Sequence, residues 1–326
     1  PLPEVKKGEV RIKIYASGFN PIDVKTRMGG KGGETPVILG ADCSGVVDAV
    51  GKDVSEFALG DEVYAMSFGQ GSNGSYAEYL SVPEQFVAKK PKRLGFAQAA
   101  AIPLAAMTAY RAVIASSSLK RGDRVLIAGM GGGVGSLAVQ MIQQMGPAHI
   151  ITVAGSEESA RFLNEKFGIA LEHILIYKGL SLEQMREKLI AMNEGELFNA
   201  TYDCVGGEMK RLCLELTGFS GHFASIVPEA KPFDFPVWEG GRSLCIARNM
   251  SLHLILVGAE SHGGPQGSWS IYRKHLSAVT QMIEEGSLIP QQTTIVGPLS
   301  VQTVVEAHRL IEEGRVKGKL IMSERG

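Results

Sequence analysis

The chain has 326 residues, of which 44% are hydrophobic and 21% are charged, and its formal net charge is -1. This length is too great for one ordinary hydrophobic core, and the composition is typical of a compact globular protein rather than a disordered one. A net charge so close to zero produces no global field that would attract nucleic acid or an anionic membrane, so both partners are disfavoured.

The cysteine pattern predicts a reducing compartment. Cys43, Cys204, Cys213 and Cys245 lie far apart and form no C-x-x-C pair, which argues against a disulfide framework. No signal peptide is recognised at the start, and glycines interrupt the uncharged stretch 125–142 that would otherwise resemble a membrane span. We therefore expect a cytoplasmic protein.

The first hundred residues have the pattern of β-strands. Short β-branched or alternating runs are separated by glycines: "EVRIKIYA" (9–16), "CSGVVDAVG" (43–51), "DEVYAM" (61–66) and "SYAEYL" (75–80). Such runs predict a sheet or a small barrel.

The pattern changes at Arg124, where apolar strands begin to alternate with amphipathic helices. The predicted helices cover 134–145, 157–167, 181–192 and 208–216. This alternation predicts a parallel sheet covered on both faces, with "SLHLILV" (251–257) as its edge strand. Two more helices, at about 270–285 and 301–313, return the chain to the first domain. We thus predict an α/β fold, in which a Rossmann domain of residues 104–258 is inserted in a mostly β substrate domain formed by 1–103 and 259–326.

A glycine-rich turn follows the strand that ends at Ala128, and a helix follows the turn. Strand, glycine turn and helix form the context of a dinucleotide-binding fingerprint, G-x-G-x-x-G. Gly132 matches the second glycine, which lets the backbone approach a pyrophosphate, and Gly135 matches the third, which lets helix pack on strand. Met130 stands at the first position instead of glycine. A glycine turn joining an ordinary strand and helix is the alternative.

The next strand ends in "TVAGSEES", with Ala154 and Gly155 where an NAD enzyme usually carries a ribose-binding acid. The missing acid leaves room for a 2′-phosphate, which Ser156 and Arg161 could bind. Glu157 and its neighbour Glu158 would oppose that binding. The pattern favours NADPH over NADH.

Several segments follow one another in a distinctive order: "ASGFNPIDVKTRMG" (16–29), "PVILGADCSGVVDAVGKDVSEFALGDEVY" (36–64), "GSYAEY" (74–79), "AAAIPLAAMTAY", "GGGVGSLAVQ", "YDCVGG" and "GRVKGKLIM". In this order they resemble the zinc-free quinone oxidoreductase branch of the medium-chain dehydrogenase/reductase superfamily. The resemblance extends over nearly the whole chain. It implies a GroES-like substrate domain beside the Rossmann domain.

The resemblance also implies a set of cofactor contacts. Asn20 and Thr108 would border the nicotinamide, Val205 and Lys319 would touch the cofactor, and Tyr177 would pack near the adenosine phosphate. Gly132, Gly133 and Val134 would hold the pyrophosphate, and Gly131 and Gly155 are further candidate cofactor-binding residues. The lysine that commonly meets the 2′-phosphate is replaced by Ser159, which leaves Arg161 as a substitute.

Simpler interpretations exist for these residues. Asn20, Pro21 and Asp23 could merely shape a turn, Thr108 and Tyr177 could be edges of a core, and Lys319 could be a solvated charge.

The histidines suggest little chemistry. His149, His173 and His253 lie in apolar strands, where we expect satisfied core residues, whereas His262 lies in a glycine-rich loop and is a candidate to face substrate.

The zinc ligands of related dehydrogenases are missing. Tetrahedral zinc needs Cys or His ligands, but the corresponding positions carry Ile22 with Asp23 and Gly40 with Ala41 and Asp42, and 64–74 is too short for a cysteine lobe. Without a Lewis acid, reduction of an electrophilic quinone or α,β-unsaturated ketone is more natural than alcohol oxidation. Asn20 is the candidate catalytic residue near the oxygen that gains charge, and no residue is identified as the proton donor.

Two other functions stay open. A 2-enoyl thioester reductase of the same superfamily typically has a catalytic tyrosine soon after the N-P-x-D segment, and "VKTRMGGKGG" has none. A non-catalytic cofactor-binding protein is the third possibility. We also expect a homodimer joined at the edge strand 251–257, and a true N-terminus that lies before Pro1.

Overall fold

The computed structural model describes residues 2–30, 37–67, 74–116, 118–229, 235, 237, 243–314, 316 and 318–323. The strands are β1 (Glu9–Gly18), β2 (Asp42–Val50), β3 (Glu62–Met66), β4 (Tyr79–Pro83), β5 (Val87–Lys89), β6 (Arg124–Ala128), β7 (His149–Ala154), β8 (Ile174–Ile176), β9 (Phe198–Asp203), β10 (Thr217–Ser225), β11 (Ser251–Leu254), β12 (Thr293–Gly297) and β13 (Lys319–Ser323). The helices are α1 (Pro21–Lys25), α2 (Phe96–Ala100), α3 (Pro103–Tyr110), α4 (Gly133–Gln144), α5 (Glu157–Phe167), α6 (Leu182–Met192), α7 (Glu208–Leu216), α8 (Leu244–Ala247), α9 (Ala259–Gly263), α10 (Ser270–Glu284) and α11 (Val301–Glu312).

The chain divides into two compact units. The first comprises 1–107 with 257–326, and the second comprises 108–256. The first division falls inside α3, whereas the sequence prediction placed it just before Leu104, near the start of that helix. Among the described residues, no helix is both long and apolar enough to cross a membrane.

The first unit contains a seven-stranded sheet in the order β12-β13-β1-β2-β3-β5, with β4 also paired to β1. Strand β1 is its organising element, because β2 pairs antiparallel along its length while β4 and β13 pair with its two ends. The register places Gly18 opposite both Asp42 and Ile321. Residues far apart in sequence therefore meet at the carboxyl end of β1.

The second unit contains a parallel six-stranded sheet in the order β11-β10-β9-β6-β7-β8. Its core includes apolar side chains of the strands and of α6 and α7. From β6 the chain builds outward to β8 on one side and then returns to β9 on the other. The sheet thus has a topological switch point between β6 and β9, the place where ligands bind in open α/β sheets.

The predicted periodicities are confirmed where they are strongest. Helix α5 has the predicted bounds, and β11 is the terminal strand of the parallel sheet, although it ends at Leu254 rather than Val257.

The prediction for the histidines is wrong about their burial, although His149 Nε2 does have a hydrogen-bond partner, Asn193 Oδ1, at 2.7 Å. His149, His173 and His253 are half-buried rather than core residues, because they lie on the outer strand β11 or near the sheet ends. His253 Nε2 has no hydrogen-bond partner among the residues that the structure describes.

Candidate functional site

The glycine turn lies at the carboxyl end of β6, beside the switch point. Gly132 is the N-cap of α4, with extended backbone (φ -79°, ψ 176°), and its N–H donates to the Gly129 carbonyl at 3.1 Å. A helix N-terminus presents backbone N–H groups and a positive dipole end, which together attract phosphate. The turn is therefore placed and polarised to bind an anion.

The three glycines of the turn have different surroundings. A β-carbon built on Gly131 would be 3.6 Å from Leu163, and one on Gly132 would be 3.4 Å from the Gly129 carbonyl oxygen, so both positions are open. A β-carbon on Gly135 would lie only 2.2 Å from the same oxygen. The predicted roles fit this geometry, because Gly135 permits close packing of helix and strand while Gly132 leaves a cradle for a ligand.

Met130, the departure from the fingerprint, is fully buried. The preceding Gly129 takes the left-handed conformation (φ +84°), and a β-carbon there would be 2.9 Å from the Val205 side chain. The tight turn thus begins one residue earlier than the fingerprint predicts.

The turn after β9 is held by Asp203, which the sequence analysis missed. The buried Asp203 Oδ1 accepts from the Val205 and Gly206 N–H groups at 2.9 and 2.8 Å, and Oδ2 accepts from the Ser225 hydroxyl at 2.7 Å. Val205 itself is 50% exposed next to Gly129. An acid at the end of an apolar strand, in "YDCVGG", was the signal that could have found it.

The residues expected at the adenosine end come together after β7. Gly155 lies against Tyr177, whose hydroxyl oxygen would be 3.3 Å from a β-carbon on that glycine. Ser156 is the N-cap of α5, and its side chain accepts from the Ser159 N–H at 3.2 Å. Tyr177 is 37% exposed, which is compatible with the alternative that it is the edge of a core.

Arg161 is not free for a phosphate. Its guanidinium lies 3.3 Å from Glu157 one helical turn earlier, and both side chains are exposed. A 2′-phosphate would have to compete with Glu157 for this cation.

In the first unit, Asn20 bridges a buried ion pair. Its amide Nδ2 donates to Asp42 at 2.9 Å, its Oδ1 accepts from the Lys319 ammonium, and Lys319 is itself 3.4 Å from Asp42. Asp42 also accepts from the Leu104 N–H at 2.8 Å, at the first turn of α3. The alternative that Lys319 is a solvated charge is wrong, because this residue is only 5% exposed.

Asp23 extends this arrangement. Its Oδ2 accepts from the Asn20 backbone N–H at 2.7 Å and from the Tyr76 hydroxyl at 3.0 Å. Burial raises the pKa of Asp23 to about 7, with a further contribution from the charge of Asp42. Burial also raises the pKa of Asp42, and the Lys319 ammonium opposes that shift. Asn20, Asp23, Asp42, Tyr76 and Lys319 are called the polar cluster below.

The polar cluster has a charge imbalance. It contains two carboxyl groups and one ammonium, all with little exposure to water. The turn-shaping interpretation of Asn20 and Asp23 is correct as far as it goes, since Asp23 caps the Asn20 N–H. It does not account for the ion pair.

Two further predicted residues, Thr108 and His262, differ in their exposure. Thr108 is buried in α3, and His262 is exposed on α9 with Nδ1 2.5 Å from the Gly258 carbonyl oxygen.

No group of three or more His, Cys, Asp or Glu side chains is arranged to hold a metal among the described residues. That zinc plays no part stays a prediction based on the sequence.

Comparison with known proteins agrees with this architecture. Residues 6–92 match the family described as alcohol dehydrogenase GroES-like domain, and 133–260 match the family described as zinc-binding dehydrogenase. The NAD(P)H oxidoreductase RTN4IP1, mitochondrial, of Danio rerio is 31% identical over 343 residues, which cover 97% of this chain and 83% of the relative. The 2-methylene-furan-3-one reductase of Solanum lycopersicum is 28% identical, over 98% of this chain and 73% of the relative.

Among solved structures, a mycobacterial quinone oxidoreductase superposes with a TM-score of 0.78 and 25% identity, over 99% of this chain and 93% of that chain. A parallel sheet with a glycine turn at its switch point, joined to a GroES-like unit, defines an oxidoreductase that uses a nicotinamide dinucleotide. The chain belongs to the medium-chain dehydrogenase/reductase superfamily.

Proposed function

We propose that the protein is a zinc-independent reductase that transfers hydride from NADPH to a quinone or an α,β-unsaturated carbonyl compound. The observation that carries the proposal is the chemistry at the positions where relatives hold zinc. The side chains of Ile22 and Ala41 have no electron pair to donate to a metal. The carboxylate of Asp42, next to Ala41, already contacts the Lys319 ammonium, the Asn20 amide and the Leu104 N–H. A substrate that is electrophilic without a metal suits such a site.

The proposal assigns separate tasks to the two units. When bound, the nicotinamide ring supplies the hydride. The open turn at Gly131 and Gly132, with Gly133 and Val134 at the start of α4, would hold the pyrophosphate. The proposal assigns four residues to the nicotinamide end of the cofactor: Asn20, Thr108, Val205 and Lys319.

The relatives' names support the substrate class. The tomato relative is called a reductase of 2-methylene-furan-3-one, and the mycobacterial protein is called a quinone oxidoreductase. The zebrafish relative is called an NAD(P)H oxidoreductase, which leaves the choice between NADPH and NADH to experiment. The missing ribose-binding acid at Ala154 and Gly155 favours NADPH.

A turnover assay tests this function. Purified protein is mixed with NADPH or NADH and with panels of quinones, enones and 2-enoyl thioesters, and separately with NADP+ or NAD+ and a panel of alcohols, each with and without a metal chelator. We expect chelator-insensitive oxidation of NADPH by quinones or enones. Chelator-sensitive alcohol oxidation overturns the proposal, thioester reduction replaces its substrate class, and tight cofactor binding without any turnover favours a non-catalytic role.

The proposal includes a homodimer in the cytoplasm. Strand β11 is terminal in the parallel sheet, and Leu254 on it is 79% exposed, so the edge offers apolar surface to a second copy. Light scattering should give twice the chain mass, and Leu254→Asp should give the monomer.

The free cysteines fit a reducing compartment. The zebrafish relative is called mitochondrial, so fractionation must decide between the two compartments.

A further inference from the structure

The polar cluster carries one more acid than it has cations. With Asp23 and Asp42 both ionised and Lys319 protonated, the cluster would have a net charge of -1 where all three residues are at most 5% exposed. An uncompensated buried charge is strongly disfavoured, so the cluster should take up one proton. Its geometry indicates which acid takes it.

Asp42 is built to stay ionised. Its two oxygens accept from the Leu104 N–H, the Asn20 amide and the Lys319 ammonium, and each of these donors favours the carboxylate. Within the described ranges Asp23 has two donors, and both bond the same oxygen, Oδ2. Among the described residues, none donates to Asp23 Oδ1, which is therefore the oxygen that can carry a hydrogen.

Two other titratable groups near Asp23 in the described part of the chain, Tyr76 and His308, do not supply the missing positive charge. Burial raises the pKa of Tyr76 well above its ordinary value, so its hydroxyl stays protonated. His308 on α11 is buried beside Tyr76, with ring centroids 6.0 Å apart. Burial and the nearby Arg27 lower the pKa of His308, so this imidazole is neutral near pH 7.

We propose that the polar cluster is a one-proton store, in which Asp23 holds a proton that is released when an acceptor is reduced. This inference rests on the proposed function, because hydride addition to an enone forms one C–H bond and moves the C=C electron pair onto the carbonyl oxygen. The resulting enolate needs a proton. The Asp23 O–H bond breaks, its proton passes to the enolate through an intervening water molecule, and the Asp23 carboxylate is reprotonated from solvent.

Asn20 and Tyr76 are positioning residues in this scheme. Asn20 links the two acids, since its backbone N–H bonds Asp23 while its side chain bonds Asp42 and Lys319. Tyr76 donates to Asp23 and so stabilises the carboxylate left after proton release. Both effects set how readily Asp23 gives up its proton.

The first arm of the test needs neither cofactor nor substrate. An infrared pH titration of the free protein should show a carboxylic acid C=O band that disappears as the pH rises through about 7. The band should be absent from Asp23→Asn and present in Glu165→Gln, a matched change of an exposed acid on α5. In Tyr76→Phe the midpoint should rise by about one pH unit, because a donor to the carboxylate is lost.

The second arm measures proton uptake during turnover. In weakly buffered solution with an indicator dye, wild-type protein given NADPH and an enone should take up protons from solvent after NADPH oxidation, with a lag. Asp23→Asn should show a slower reaction without that lag, and the pH dependence of its rate should lose the inflection near 7.

The outcomes separate this inference from the function it rests on. A missing acid band, or a band that persists in Asp23→Asn and vanishes in Asp42→Asn, overturns the proton store even when NADPH is consumed. Uptake of protons in step with hydride transfer in the wild type overturns it as well. A titrating Asp23 band in a protein that oxidises no nicotinamide with any acceptor refutes the reductase function instead.

Discussion

The candidate residues of the two units are arranged in opposite ways. In the second unit, the turn at Gly131 and Gly132 leaves open space, and the groups offered to a ligand are those of the backbone. In the first unit, the polar cluster is filled by side chains that already bond one another. Open backbone geometry is suited to binding a cofactor that comes and goes. A closed, charged cluster is suited to holding a proton and one fixed side-chain arrangement.

The largest effect should come from breaking the buried ion pair. Lys319→Met leaves the Asp42 carboxylate buried without its cation, so the free energy of unfolding should fall by about 3–5 kcal/mol. Urea unfolding at neutral pH measures this loss.

Lys274→Met, a change of an exposed lysine on α10, is the control and should alter stability by less than about 0.5 kcal/mol. Equal stability of the two variants would show that the cluster is not closed to water.

The pH dependence of stability probes the proton on Asp23. The pKa of Asp23 is about 7 in the folded protein, against about 3.9 in an unfolded chain, so the folded state binds this proton more tightly. The contribution to stability is complete below about pH 4 and is lost as the pH rises through about 7. It amounts to at most about 4 kcal/mol.

Asp23→Asn should remove this pH dependence, because the amide does not titrate. As the pH falls from about 7 to about 4, the free energy of unfolding of the wild type should therefore rise relative to that of the variant. Glu165→Gln should leave the wild-type slope unchanged. Parallel wild-type and Asp23→Asn curves would count against a shifted Asp23.

The glycine turn can be tested by two substitutions with opposite consequences. Gly132→Val fills the open cradle, so NADPH affinity should fall by about a hundredfold or more while the unfolding midpoint stays near the wild type. Gly135→Ala brings a β-carbon against the Gly129 carbonyl, so stability should fall by about 1–3 kcal/mol.

Fluorescence titration and thermal unfolding on both variants separate the two roles. If Gly132→Val bound NADPH normally, the turn would be a connection between strand and helix and nothing more.

The smallest effect concerns cofactor choice. A charged hydrogen bond to phosphate is worth roughly 1.5–3 kcal/mol, but Arg161 is exposed and already paired with Glu157. Arg161→Ala should therefore reduce the preference for NADPH over NADH by about tenfold.

Glu157→Gln is the matched opposite, because it frees the guanidinium and removes a repelling charge, and it should increase the preference. Side-by-side titrations of both cofactors decide this. Equal dissociation constants in the wild type would remove the basis for NADPH.

The parts of the fold that depend on local pattern could be predicted from sequence. The bounds of α5, the glycine turn and the terminal strand β11 follow from periodicity and from glycine position, which neighbouring residues determine. The one-residue shift of the turn to Gly129 could not be predicted, because it depends on the packing of Met130 in the core.

The polar cluster depends on tertiary pairing instead. Lys319 and Asp42 are 277 positions apart, and they meet because β2 and β13 both end against the carboxyl end of β1. In the sequence, Asp42 stands only at a position without a zinc ligand, and Lys319 is a candidate only through the family resemblance. Nothing local in either segment indicates that they form an ion pair.

The buried Asp203 carboxylate has a consequence for the speed and cost of cofactor binding. Because it holds the Val205 and Gly206 N–H groups and the Ser225 hydroxyl, the turn after β9 adopts one conformation when the chain folds. Little conformational entropy is then left to lose on association, and association needs no loop rearrangement at this turn. Asp203 thus preorganises this turn, to which the proposal assigns a cofactor contact, before any ligand binds.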